Sequence, residues 1–99
     1  MNIQIHSLQF DADQKLLDFI GQKIDNLTQI SDDIVSVEVF LRLENDFGGQ
    51  NKVSEVKLEY PGGPIFAKKQ SKTFEEATDQ VIEALKKHIT NKKEKMRGK

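Results

Sequence analysis

The chain has 99 residues, of which 31% are Asp, Glu, Lys or Arg, and its formal net charge is −1. This length predicts a single domain, and the absence of cysteine excludes disulfide bonds and thiolate metal sites. The N-terminal residues lack a basic start and a long apolar run, and no segment approaches the ~20 apolar residues of a membrane span. We therefore expect a cytoplasmic protein without a secretory signal or membrane anchor.

The first half of the chain predicts a strand, a helix and a longer strand. Ile3 and Ile5 alternate with polar residues, as in a short strand. Residues 14–28 carry apolar side chains at helical spacing, and we expect the carboxylate of Asp13 to cap this helix. Alternation over residues 35–43 predicts a strand with one buried face. The apolar residues assigned to that face are Val35, Val37, Val39, Leu41 and Leu43.

Two further strands are predicted in the second half. Residues 45–51 contain two glycines and predict a flexible connection. Alternation then indicates a third strand over residues 55–60, in which Val56, Leu58 and Tyr60 share a face. Residues 61–64, Pro-Gly-Gly-Pro, are typical of a turn, and a fourth strand follows over residues 65–70.

Thr73 and Glu76 fit a capping box that opens a second helix, which extends to about residue 96. The first strand–helix–strand unit should form a right-handed crossover with parallel strands, followed by two antiparallel hairpins. Each helix has a single apolar stripe, so both must cover the same face of the sheet and leave the other face bare and polar. The predicted fold is α+β, a two-layer β-α-β-β-β-α sandwich with a four-stranded sheet and two helices on one face.

Charge is distributed unevenly along this fold. Residues 86–99 contain seven Lys or Arg and one Glu, a net charge of +6, so residues 1–85 sum to −7. Clustered cations point to a polyanionic partner, and first to nucleic acid, because neutralising phosphates releases condensed counterions. On charge alone, a solvated basic tail explains the pattern equally well.

A helical projection favours a functional patch over a solvated tail. With Leu85 at the centre of the apolar stripe, Lys86, Lys93 and Arg97 fall on one flank, at roughly 80–120°. The helix macrodipole explains one or two cations in a last turn, but not a stripe across three turns. Lys92 falls on the apolar stripe itself, where burial would be costly, so we expect the last turns to extend beyond the sheet.

Local sequence patterns recur in a fixed order along essentially the whole chain. They are FIGQKIDNL at residues 19–27, the paired glycines 62–63 followed by Ile65 and Ala67, FEEATD at residues 74–79, and LKKHITNKKEK at residues 85–95. Together with the element order, they resemble the short form of the hibernation promoting factor and ribosome-associated inhibitor family, also called sigma-54 modulation proteins.

The resemblance implies ribosome binding without catalysis, on a fold similar to double-stranded-RNA-binding domains. Family members lie on the small subunit between head and body, where messenger and transfer RNA would sit, and idle the ribosome during stress. Residues 1–99 would then be one ribosome-binding domain with a basic helix end, about 86–99, and without the dimerisation domain of longer members. The implied partners are the small subunit and its ribosomal RNA, with no cofactor, membrane or small-molecule substrate, and the protein would be a monomer off the ribosome.

The resemblance also assigns RNA contacts to basic residues of the two helices. Matched by position are Lys23, Lys86, Lys87, Lys93 and Lys95, and matched by charge and neighbourhood are Lys92 and Arg97. Asp25 and Asn26 occupy a part of the first helix that is usually more basic, which shifts the expected contacts to the second helix.

Other chemistry finds little support in the residues. His6 and His88 lack metal-ligand spacing, no serine lies in a nucleophile elbow, and residues 62–69 lack the ending of a P-loop, so we expect neither an enzyme nor a metal site. Phe40 lies on the polar side of its strand, where we favour packing over base stacking.

Some alternatives remain open. Lys68 and Lys69 are either phosphate contacts or guards of an edge strand. The alternative functions are a protein-interaction module and a generic structured-RNA-binding domain that does not act on the ribosome.

Overall fold

Strands and helices follow one another in the predicted order. They are β1 (Asn2–Ser7), α1 (Gln14–Thr28), β2 (Ser36–Leu43), β3 (Lys52–Glu59), β4 (Ile65–Ser71) and α2 (Phe74–Arg97). The computed structural model describes residues 2–45 and 48–97, with side chains as far as residue 91. Asp46 and Phe47, in the predicted connection 45–51, lie outside the described residues.

The four strands form one sheet in the order β1-β2-β3-β4. β1 pairs with β2 in parallel, so that Ile3 lies level with Val37, and the β2–β3 and β3–β4 pairs are antiparallel. Gly62 and Gly63 make the last reversal at φ angles of +91° and +132°, which glycine adopts without steric cost. The predicted strand directions and turn are confirmed.

Both helices contribute to one core on one face of the sheet. α2 packs against β3, β4 and α1. In the connected core cluster, the residues with no exposed surface are Ile20, Ile24, Leu27, Val39, Leu41, Val56, Leu58, Val81, Leu85 and Ile89. A buried hydrogen bond also joins the two layers, because the Thr78 hydroxyl donates to the Ser54 Oγ over 3.2 Å. The two-layer architecture is therefore as predicted.

The predicted apolar face of β2 is wrong at both of its ends. The strand begins at Ser36, and the Val35 side chain is 65% exposed. Leu43 is 48% exposed, because it lies beyond Leu41, the last residue of β2 that pairs with β1. Tyr60 is buried as expected but follows the end of β3, and its hydroxyl lies 3.2 Å from the Ser31 hydroxyl.

The helix starts follow the sequence signals, with one difference. The Asp13 carboxylate accepts a hydrogen bond from the Leu16 N–H over 2.9 Å, which confirms the α1 cap. The Thr73 hydroxyl accepts from the Glu76 N–H over 3.0 Å, as a capping box requires. The Glu76 carboxylate, however, accepts from the Ser71 hydroxyl at the end of β4, so it ties the helix to the sheet. Neither helix is long and apolar enough, within the described ranges, to cross a bilayer.

Candidate nucleic-acid interface

The basic residues of interest lie on the second half of α2. Val81, Leu85 and Ile89 recur every four positions on the buried side of the helix. Lys86 and Lys87 lie between two of these core residues and are therefore directed away from the core. α2 has 24 residues and spans about 36 Å, whereas the eight residues of β3 span about 26 Å. The helix continues beyond Ile89 for eight residues, or about 12 Å. These lengths agree with the expected extension past the sheet.

Lys86 and Lys87 are consecutive residues whose side chains are about 100° apart around the helix axis, and both belong to the basic flank, the solvent-facing side of the second half of α2. The Lys86 Nζ is 3.5 Å from a Glu83 carboxylate oxygen, and its side chain is 41% exposed. Exposure of both partners makes this a weak ion pair that an incoming phosphate can replace. Lys87 is exposed, and it lines two adjacent shallow grooves.

One of the two grooves that Lys87 lines is formed by α2 alone, and the other is formed by α2 and β4. One, of about 290 Å³, runs along the helix between Glu83 and Asn91 and includes Thr90. The other, of about 380 Å³, lies between α2 and β4 and is lined by Lys69, Gln80, Glu83, Ala84 and Lys87. The two grooves share Glu83 and Lys87, so Lys87 is accessible both along the helix and from β4.

Lys69 is a further cation of this surface, contributed by β4. The register pairs Lys69 with Ser54, on the helix-covered face of the sheet, whereas Lys68 pairs with Glu55 on the other face. Lys69 therefore joins Lys87 in one groove, and Lys68 does not. The alternation of β4 could have separated the two, because Lys69 shares its face with Ala67.

Lys23 lies apart from this flank and is already paired. Its Nζ is 2.9 Å from an Asp79 carboxylate oxygen on α2 and 5.4 Å from the centre of the Phe19 ring. Asp79 lies seven residues before Lys86, about 10 Å along the helix axis. This ion pair joins the two helices, and a phosphate that binds Lys23 must compete with the Asp79 carboxylate.

The remaining predicted contacts, Lys92, Lys93, Lys95 and Arg97, lie on the last turns of α2, and their side chains lie outside the described residues. Their backbone continues the helix that carries Lys86 and Lys87, as the projection assumed. Their assignment to RNA binding stays a prediction.

The bare face of the sheet has a different character, because several of its charged side chains pair with one another. Arg42 donates hydrogen bonds of 3.0 Å to both Glu55 and Glu44, and these bonds raise the pKa of its guanidinium. The His6 Nε2 lies 2.9 Å from a Glu38 carboxylate oxygen, and its ring stacks on Phe40 at 4.9 Å. Phe40 is half-buried, in agreement with packing. This face offers a phosphate few free cations.

The histidines and carboxylates are not arranged for metal binding in the part of the chain that is described. No three His, Asp or Glu side chains there converge on a common point that could hold an ion.

Known proteins resemble the chain over almost its whole length. The family model described as "Sigma 54 modulation protein / S30EA ribosomal protein" matches residues 3–97. A ribosome hibernation promoting factor from Pseudomonas putida is 27% identical over 98 residues, covering 99% of this chain and 92% of the relative.

Two solved structures share the fold. A ribosomal subunit interface protein from Coxiella burnetii superposes with a TM-score of 0.83 at 18% identity, over 94% of this chain and 98% of the other. The N-terminal domain of Protein Y from Thermus thermophilus superposes with a TM-score of 0.76 at 20% identity, over 92% and 98%. At these identities the likeness concerns the fold.

Proposed function

Because the chain belongs to the sigma 54 modulation protein / S30EA ribosomal protein family, we propose that it is a ribosome hibernation factor. In this proposal it binds the small ribosomal subunit in the channel for messenger and transfer RNA and inhibits translation. The names of its relatives support the proposal, since one is a hibernation promoting factor and another a ribosomal subunit interface protein.

The observation that carries the proposal is the exposed basic flank of α2 on an otherwise acidic domain. Lys87 is exposed and lines two grooves, Lys69 joins it from β4, and Lys86 forms a weak ion pair with the exposed Glu83. The −7 charge of residues 1–85 repels phosphates, so this flank sets the orientation of approach to RNA.

The proposed mechanism is steric and electrostatic. Phosphate contacts position a protein without reading sequence, so recognition would depend on the shape of the channel and on the spacing of its phosphates. The contacts would come mainly from Lys86, Lys87, Lys92, Lys93, Lys95 and Arg97, assisted by Lys23 and Lys69. A domain held there would occupy the volume that messenger and transfer RNA need.

No chemical step is part of this proposal. The family consists of ribosome-associated factors, and inhibition would follow from occupancy of the channel. The protein would act in the cytoplasm, where ribosomes are, and would be a monomer when not bound.

The test is co-sedimentation of the purified protein with ribosomal subunits through sucrose at low and high salt. We expect binding to the small subunit that weakens steeply with salt and is displaced by messenger RNA together with initiator transfer RNA. Absence of binding at low salt, or binding that the competitor leaves unchanged, would reject occupation of the channel.

Two matched triple variants test the site. In the first, Lys86, Lys93 and Arg97 are changed to Glu, and the slope of log affinity against log salt should fall by about three. The control changes Lys15, Lys68 and Lys72 to Glu, three exposed lysines away from the basic flank, with the same change in net charge. Equal losses in both variants would show that net charge decides binding, and the site assignment would be wrong.

Two further binding experiments with the purified protein distinguish the alternative functions. A generic structured-RNA-binding domain would bind a folded RNA of unrelated sequence as tightly as the small subunit. A protein-interaction module would retain its partners after nuclease treatment and recover no ribosomal RNA. Either result would replace the hibernation proposal.

A further inference from the structure

The two outer strands of the sheet, β1 and β4, are protected very differently. β4 carries Lys68 and Lys69, is followed by Lys72, and packs against α2. Charged side chains of this kind discourage a further strand from pairing with an edge. β1 has the sequence NIQIHS, without lysine, arginine, aspartate, glutamate or proline. In the described ranges, β1 pairs with β2 alone, so its other side is an open strand edge.

The backbone of β1 has hydrogen-bonding groups on this open side. The Leu8 N–H, just after the strand, donates to the Leu41 carbonyl of β2 over 2.8 Å. The direction of backbone groups alternates along a strand, so the N–H and C=O groups of Ile3, Ile5 and Ser7 point away from β2. The Ile3 side chain is 37% exposed, which leaves apolar surface beside these groups.

The surroundings of this edge are acidic at both ends. Asp11 and Asp13 follow the C-terminal end of β1, and Asp32 and Asp33 precede β2. Because β1 and β2 are parallel, these two pairs lie at opposite ends of the edge. All four aspartates are exposed.

We propose that the open edge of β1 binds an extended, basic segment of another protein, which adds to the sheet as a fifth strand. Backbone pairing would supply affinity, as in other cases of strand addition, and the flanking aspartates would select lysine or arginine at the ends of the segment. Alternate apolar residues of the segment would cover Ile3. This inference goes beyond the proposed function and does not depend on ribosome binding.

Other occupants fit the edge less well. Nucleic acid would meet exposed aspartates without a lysine or arginine on the strand. An antiparallel pair of β1 strands from two copies would bring the aspartates at one end of each copy towards those at the other end of its partner. Like charges in such positions are unfavourable, so the edge selects against self-association.

The test uses the full chain, labelled with nitrogen-15, and a synthetic decapeptide in which lysine and valine alternate. We expect saturable chemical-shift changes and slower hydrogen exchange at the Ile3, Ile5 and Ser7 amides, with affinity that falls as salt is added. The control peptide replaces each lysine by glutamate and should leave these amides unchanged. Equal effects of both peptides, or shifts confined to α2, would overturn the proposal.

Two paired variants distinguish peptide binding at the β1 edge from non-specific binding elsewhere on the protein. Ile3→Lys places a guarding charge on the edge and should weaken peptide binding by about fivefold or more. Leu43→Lys makes the same change at an exposed position beyond the β1–β2 pairing, and affinity should stay within about twofold because no edge backbone is affected. Equal losses would contradict the assignment. Shifts at the β1 amides that grow with protein concentration alone would show that a second copy occupies the edge.

Discussion

The two helices lie on the same face of the sheet, yet their lysines are held in different ways. In α1, Lys23 lies 2.9 Å from Asp79, and the last turn of this helix has no basic residue. α2 begins with Glu75 and Glu76 in its first turn and carries its cations towards its C-terminal end, in the direction that the helix macrodipole favours. Only the second helix therefore presents an exposed basic flank.

This difference shows that a lysine's use depends on the carboxylate that the fold places beside it. Lys23 and Lys87 are equivalent when the family pattern is transferred by position. In the folded protein, Lys23 joins two helices, whereas Lys87 is exposed between two grooves.

Replacement of Leu85 by Ala should have the largest effect on stability. Leu85 is fully buried and anchors the middle of α2, so its truncation should lower the free energy of unfolding by about 2–5 kcal/mol in urea titrations. Ile3→Ala, at a side chain 37% exposed, is the control and should cost less than about 1 kcal/mol. Similar losses would mean that the basic helix is not anchored through Leu85.

Charge reversal should separate the two lysines in ribosome binding. Lys87→Glu should weaken affinity for the small subunit about tenfold, or about 1.4 kcal/mol, in a competition assay at fixed salt. Lys23→Glu should weaken it by about threefold or less, because part of that charge already interacts with Asp79.

A charge-swapped variant controls for structural damage in this experiment. Combining Lys23→Glu with Asp79→Lys restores an ion pair between the helices and should restore the thermal stability of the unaltered chain. If Lys23→Glu weakened binding as much as Lys87→Glu, and the swap did not change that loss, the contrast between the helices would be wrong.

The sequence predicted the elements well because their signals are local. The spacing of apolar residues gave α1 as residues 14–28, which are its observed bounds, and Asp13 caps it as expected. The expected burial of Val35 and Leu43 was wrong, because alternation alone does not indicate where neighbouring strands and helices stop covering a strand.

The site was less predictable because its contacts are not local. Lys23 and Asp79 are far apart in sequence, and their ion pair exists only when the two helices pack together. Lys69 lines the same groove as Lys87 because the register of β4 places it on the helix-covered face. The alternation of β4 indicates this face, but the prediction from sequence did not distinguish Lys69 from Lys68. Charge patterning located the basic helix, whereas tertiary packing decides which cations remain available.

Loss of the helix caps should produce a smaller effect that is similar for both helices. Asp13→Ala and Thr73→Ala each remove a side-chain acceptor from a backbone N–H, and each should lower the free energy of unfolding by about 1 kcal/mol. Asp13→Asn and Thr73→Ser retain an acceptor and should cost much less in the same urea titrations. Ribosome affinity should not change in any of the four variants. A fall in affinity for Thr73→Ala alone would show that the basic flank depends on the start of its helix.

The smallest effect should come from releasing Lys23. Asp79→Asn removes the carboxylate from a pair whose side chains are 37% and 51% exposed, so it should lower stability by less than about 1 kcal/mol. The freed ammonium should then tighten binding to the small subunit by about two- to threefold, or about 0.5 kcal/mol. The measurement is the same competition assay, repeated at two salt concentrations.

A second variant background shows what causes any gain in affinity for the small subunit. Asp79→Asn also removes a negative charge from the helix that we propose binds RNA, and this loss of repulsion would itself tighten binding. In a Lys23→Gln background, loss of Asp79 cannot release a cation, so the gain should disappear if pairing is what withholds Lys23. A gain in affinity of equal size in that background would mean that Asp79 acts by repelling phosphates. The difference between the two helices would then depend on their acidic residues and not on the Lys23–Asp79 ion pair.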